Sequence, residues 1–331
     1  VQSQGLQLLI LDADGVFMNE MPYWHTALAA ALDFVGLRLR RQAEWDAFAR
    51  VAFVEQRIQR VTKARGCNSN WDLTALLACV LQDDATRAVV ADALDRHDYT
   101  LAAQALRAAG DARWTGAPAT GHLLGGFGIE KGGPLFAAAV QRFQEVFSGS
   151  CDVGWDYPKQ QLAGEPARLK QALADLRAGG WMLAVCTSRM RDETVEPMKS
   201  LGISPFFDMH RIVTQSDTLE GQERTGQKPL GKPHWFPLAV SVCGFEQAVA
   251  AARNGGMLHQ PPGTFAYVGD ASADFGSVCA ARERGLTLDY VHIDSGVTDS
   301  ALLEEIRAAP GTVAVVADLA NVAAILRERR S

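Results

Sequence analysis

Three short runs of consecutive apolar residues punctuate the chain: LQLLILD at 6–12, WMLAVCTS at 181–188 and TFAYVGD at 264–270. Each is rich in β-forming residues, shows no polar face, and ends in Asp, Thr or Ser beside a loop, the pattern of a strand buried on both sides. Two weaker runs, DYVHID at 289–294 and TVAVVAD at 312–318, predict two more strands. Helical periodicity separates them at 165–178, 190–201, 273–284 and 318–329, and Gly179-Gly180 stops the first of these helices. Alternating strand and helix predicts an α/β fold, a Rossmann-like parallel sheet with helices on both faces.

The pattern changes between about 21 and 154, where the chain is rich in Ala, Leu and Arg and contains no convincing strand. Helices are predicted over 24–36, 42–61, 71–82, 85–96, 99–109 and 134–147, with a Gly-rich connection near 110–133. The expected organisation is a discontinuous α/β domain, 1–20 and 155–331, interrupted by an all-helical domain, 21–154. An insertion that begins just past a strand's carboxyl end is expected to lie over that end, where parallel sheets bind ligands.

Composition narrows the class. The 331 residues are 48% hydrophobic and 21% charged, enough to bury a substantial core. A net charge of −6 makes no case for nucleic acid held by a positive field, nor for a polybasic membrane anchor. No apolar run approaches the roughly 20 residues that span a bilayer. The first residues, VQSQGLQ, have neither a basic start nor a long apolar stretch, so no signal peptide is expected. Six cysteines show no C-x-x-C or zinc-like spacing. A cytoplasmic protein is expected; its oligomeric state is left open.

The chemistry gathers at strand ends. Asp12 and Asp14 follow the first run, two apart, so that in extended chain both carboxylates face one crevice, and Gly15 lets the backbone turn close to a ligand. Thr187 and Ser188 end the second run and offer hydroxyl donors. VGDASAD places Asp270 and Asp274 four apart, and QKPLGKPHW offers Lys232 ahead of a helical stretch, with Lys228 as the alternative lysine. Acids converging at one crevice call for a cation, and an all-oxygen donor set favours Mg²⁺. A lysine and a hydroxyl beside it suit a phosphoryl group.

With DADG at 12–15, Thr187, Lys232 in GKP and GDASAD at 269–274 in that order, the chain resembles the haloacid dehalogenase-like superfamily over roughly 1–20 and 155–331. The helical insert stands where that family carries a cap. The resemblance implies Asp12 as nucleophile and Asp14 as general acid and then base. It implies Mg²⁺ ligation by Asp12, the Asp14 backbone carbonyl and Asp270, with Asp274 as ligand or support. Thr187, helped by Ser188, would hold phosphate, and Lys232 would stabilise its charge. The second acid, Asp14, points to phosphate esters rather than carbon–halogen bonds. The chain departs from the family in carrying Asn19-Glu20 where many members have Asp-Ser or Asp-Thr.

Substrate contacts in the insert are candidates only by position. His25 stands near the start of the first helix there and equally suits a structural histidine. Lys63, Arg65, Asn70 and Trp71 lie in KARGCNSNWDLT, where Asn70 is expected to cap a helix starting at Trp71; the stretch resembles one in caps of some phosphatases of the superfamily. Lys131 sits on a glycine-flanked loop, whereas Arg57 and Arg60 fit an exposed helix face. The expected function is a Mg²⁺-dependent phosphatase of a small phosphorylated metabolite. A sugar-type phosphomutase on the same core and a non-catalytic ligand-binding protein are the alternatives.

Overall fold

The computed structural model of the chain describes residues 6–59, 62, 69–114, 123–130, 132–156, 160–294, 298 and 300–329. They form two compact units, Val1–Glu20 with Gln160–Ser331, and Met21–Lys159.

Among the described residues of the first unit, six strands make one parallel sheet: β1 (Leu6–Leu11), β2 (Met182–Cys186), β3 (Phe207–Val213), β4 (Gly263–Gly269), β5 (Asp289–Ile293) and β6 (Thr312–Val316), in the order β3-β2-β1-β4-β5-β6. The apolar runs are explained by burial on both sides. Leu9, Leu11, Leu183, Val185, Ala266 and Val268 face helices Pro166–Ala178 and Leu319–Glu328. Leu8, Ile10, Ala184, Cys186, Phe265 and Tyr267 face Phe236–Cys243, Phe245–Asn254 and Ser272–Glu283. Each fully buried Leu or Ile adds roughly 2 kcal/mol of transfer free energy.

The strand order reverses at β1, whose neighbours are β2 and β4. At such a reversal the connections leave in opposite directions and open a crevice beyond the strands' carboxyl ends. β3 escapes the sequence reading because FDMHRIV mixes Asp208, His210 and Arg211 with its apolar residues. That suits an edge strand, where charge blocks further pairing.

Past β1 the chain turns: Phe17 and Met18 donate their N–H groups to the Ala13 carbonyl (3.1 and 2.8 Å), and Gly15 donates to the Met18 carbonyl (2.9 Å). The outgoing segment then pairs with the returning one. Asn19 N–H donates to the Gln161 carbonyl (2.9 Å), and Ala163 N–H to the Phe17 carbonyl (3.0 Å).

The second unit is helical: Met21–Phe34, Gln42–Arg50, Asn70–Leu81, Asp84–Asp95, Tyr99–Trp114, Leu123–Gly126 and Pro134–Ser148. The predicted 42–61 helix is shorter. It passes into a π-helical turn, Val51–Glu55, and stops before Arg57, whose φ of 50° is left-handed. Trp155 stacks on Trp45 with ring centroids 4.9 Å apart, so that residue packs with the helical unit rather than beginning the α/β one. Among the described residues no helix is long and apolar enough to cross a membrane, and Cys79, Cys151, Cys186, Cys243 and Cys279 are free thiols.

Candidate active site

Asp12 extends β1 by one rung, its N–H donating to the Val268 carbonyl at 2.9 Å. Its carboxylate meets Lys232, whose Nζ donates to Asp12 Oδ1, Asp274 Oδ1 and the Tyr267 hydroxyl, each at 2.7 Å. An ammonium has three protons, and each has a fixed acceptor here. Tyr267 in turn donates to Asp274 Oδ1 at 2.6 Å. Burial, with the acids around it, pushes this phenol well above its ordinary value, so it stays a donor. Asp274 Oδ2 accepts the N–H groups of Asp270 (3.2 Å) and Ala271 (3.1 Å), closing the start of helix Ser272–Glu283. With both oxygens engaged, Asp274 suits a supporting role better than that of a metal ligand.

Ligand oxygens of Asp12, Asp270 and Asp274 all lie within 4.8 Å of one another, and the three residues are buried. Gly15 makes room for this. A Cβ there would stand 2.1 Å from Asp270 Oδ2, and its φ of +75° is one that glycine adopts without strain. Three carboxylates against one ammonium leave a formal charge of −2. Burial pushes the Asp12 carboxyl up to about 8 against the pull of Lys232, with Asp274, Asp270 and Asp14 adding to the rise. Burial also pulls on the Lys232 ammonium, but Asp12 and Asp274 outweigh it and hold it above its ordinary value. Hard oxygen donors, confinement and a deficit of two positive charges fit a divalent cation such as Mg²⁺.

Asp14 takes a different cation. Arg189 donates through Nε to Asp14 Oδ2 (2.9 Å) and through Nη2 to Oδ1 (2.5 Å). The same guanidinium donates through Nη1 to Gln160 Oε1 and to the Glu193 carbonyl, both at 3.3 Å. The extended alternation read from the sequence ends at Asp12, because the chain turns immediately afterwards and carries Asp14 to Arg189. Thr187 is buried beyond β2, and its hydroxyl oxygen accepts the Arg189 N–H at 3.2 Å, while Ser188 is exposed.

A third set of bonds reaches Asp270 from behind. Thr298 donates its hydroxyl proton to the Asp270 carbonyl (3.3 Å), so it must accept from His292 Nε2 (2.9 Å). His292 Nδ1 is then the acceptor for the Tyr290 hydroxyl at 2.9 Å. Burial lowers the His292 pKa, in keeping with the neutral tautomer this chain requires.

No family model and no curated protein sequence matches the chain. Solved structures do. An X-ray structure determined as a structural-genomics target superposes with a TM-score of 0.66 at 18% identity, covering 98% of this chain and 99% of that one. A protein described as a phosphoglycolate phosphatase from Lactobacillus delbrueckii subsp. bulgaricus superposes with a TM-score of 0.50 at 14% identity, covering 98% and 99%. The chain shares the fold of these two structures over nearly its whole length.

Within the sheet, Asp12 follows β1, Thr187 follows β2, and Asp270 and Asp274 follow β4. The structure brings Asp12, Lys232, Asp270 and Asp274 together. It places Lys232, not the exposed Lys228, against the acids. Two residues that hold the site's acids were not read from the sequence. Arg189 stood unremarked two residues past Thr187, and Tyr267 looked like an ordinary core aromatic of β4.

Of the candidates in the insert, Lys63, Arg65 and Lys131 lie outside the described residues. His25 lies against Trp155 and Phe53, with ring centroids 4.7 and 5.8 Å away, and burial pulls its pKa down to about 4. The helix expected to be capped by Asn70 begins one residue earlier. Ser69 is its cap, accepting the Asp72 N–H at 3.0 Å, and Asn70 is the first helical residue. The shorter serine hydroxyl reaches that amide from the extended backbone position a cap requires.

Proposed function

We propose that the protein is a Mg²⁺-dependent phosphatase that cleaves a small phosphomonoester through an aspartyl-phosphate on Asp12. The observation that carries this reading is the buried cluster at the strand reversal, with Lys232 2.7 Å from Asp12 and a formal deficit of two positive charges. Asp12, Asp270 and the Asp14 carbonyl would hold Mg²⁺, which when bound supplies positive charge for the phosphoryl oxygens. Lys232 fixes Oδ1 of Asp12 and leaves Oδ2 as the attacking atom. The Thr187 hydroxyl, already accepting from Arg189, has its proton to give to a phosphoryl oxygen.

In the first half-reaction Asp12 Oδ2 bonds to phosphorus and the ester P–O bond breaks. The electron pair stays on the leaving oxygen, which takes a proton from the Asp14 carboxyl. In the second, water bonds to phosphorus and gives a proton to Asp14. The P–Oδ2 bond then breaks and its electron pair returns to Asp12.

The test is a screen of phosphorylated metabolites with Mg²⁺, reading released phosphate for the unaltered protein and for Asp12→Asn. Turnover should fall by about 10⁴-fold or more in the variant, with an unchanged melting profile. Near-normal release by Asp12→Asn would remove the nucleophile. A requirement for a sugar bisphosphate would make the protein a phosphomutase. Tight binding without turnover of any phosphoester would make it a binding protein.

A further inference from the structure

We infer that Arg189 is the positioning residue for the water-activating half of this reaction, holding Asp14 as the proton acceptor. The inference rests on the phosphatase reading above and deepens it. The Arg189 side chain is 3% exposed and Asp14 22%. Four of the five guanidinium N–H donors are spent on Asp14, Gln160 and the Glu193 carbonyl, so what the group does for the site it does through Asp14.

Its geometry fixes a single pose. The two parallel bonds to Oδ1 and Oδ2 set the carboxylate plane as one contact could not. The fork is itself held from behind, by Gln160 on the returning segment and by the Glu193 carbonyl. Each Asp14 oxygen keeps a further lone pair, and the side chain is partly open to solvent. A carboxylate held by two parallel bonds presents its oxygens in one fixed direction. Its task comes once the aspartyl-phosphate exists: the water proton passes to an Asp14 oxygen as the water oxygen bonds to phosphorus, and the P–O bond to Asp12 breaks with its electron pair returning to Asp12.

The prediction separates the two half-reactions. An aryl ester such as p-nitrophenyl phosphate has a leaving group that needs little protonation, so phosphorylation of Asp12 should tolerate loss of Arg189 while hydrolysis of the phosphoenzyme should not. The experiment is quenched-flow kinetics on the full chain with Mg²⁺, following nitrophenol and, by intact mass, the phosphoenzyme. For Arg189→Gln, kcat should fall about 10²-fold, while kcat/KM stays within about threefold of its starting value. A burst approaching one nitrophenol per site and accumulated phosphoenzyme should accompany the fall. Arg189→Lys, which keeps the charge without the fork, should lie between. Gln160→Ala removes one support from a half-buried position and keeps the test open should Arg189→Gln not fold; it should lower kcat in the same selective way, by a smaller factor.

Equal losses in kcat and kcat/KM without phosphoenzyme, or an unchanged kcat in Arg189→Lys and Gln160→Ala, would overturn the inference while leaving the phosphatase reading intact. An unaltered protein that neither forms phosphoenzyme nor releases phosphate from any ester would remove both.

Discussion

Tyr267 shows how much of a site can hide in one hydroxyl. It accepts from Lys232 and donates to Asp274, so Tyr267→Phe strips a partner from a buried ammonium and another from a buried carboxylate. Leaving such groups short costs about 2 kcal/mol, and a denaturation series should show a loss of that size, with lower turnover as Lys232 loses a fixed acceptor. From the sequence Tyr267 is indistinguishable from the apolar residues beside it, because strand position reveals burial but not the partner across the fold. Arg189 was hidden for the same reason: its pairing with Asp14 spans 175 residues. Asp12, Lys232, Asp270 and Asp274 were legible together because each stands just past an apolar run or before a helical one, and one crevice at the strand ends can gather them.

Two elements of the helical unit carry their own expectations. Ser69, rather than Asn70, caps helix Asn70–Leu81. Ser69→Ala should therefore cost about 1 kcal/mol, and Asn70→Ala much less, in thermal melts of the two variants. His25, packed among aromatic rings, has a pKa near 4 in the folded chain against an ordinary 6.5. A lowered histidine pKa means that the native state binds fewer protons than the unfolded one. Its stabilising contribution is thus complete above pH 6.5 and is lost as pH falls towards 4, up to about 3 kcal/mol. His25→Phe should flatten that part of the stability–pH curve; a curve of unchanged slope would show that burial does not hold the ring neutral. At this scale the sequence reading failed where helical periodicity continued past a backbone break, as at Arg57, and where an edge strand's polar residues masked it, as at β3.

For the whole molecule, the main expectation concerns charge. A core that carries a formal −2 around Asp12, Asp270 and Asp274 is destabilised by self-repulsion, and a divalent ion that binds only the folded chain should relieve it. At a Mg²⁺ concentration 100 times its dissociation constant the gain is about 2.7 kcal/mol. Calorimetry should show a raised melting temperature, reversed by chelation and abolished in Asp270→Asn. An equal rise in that variant would place the ion elsewhere. The parallel sheet was legible in outline because doubly buried strands are nearly free of polar residues. The strand order was not, since it depends on which crossovers pass over which face.

The paired segments around Asn19 and Gln161 have a consequence for how such a chain can change over time. Because the ends of the insertion are stitched side by side, the sheet experiences everything between them as a single closed loop. Closure entropy grows only with the logarithm of loop length, so doubling or halving that stretch shifts the balance by about 0.6 kcal/mol. Divergence can therefore rewrite, enlarge or trim the intervening helices at little thermodynamic penalty, while Asp12 and Asp14, just past the first strand, stay untouched.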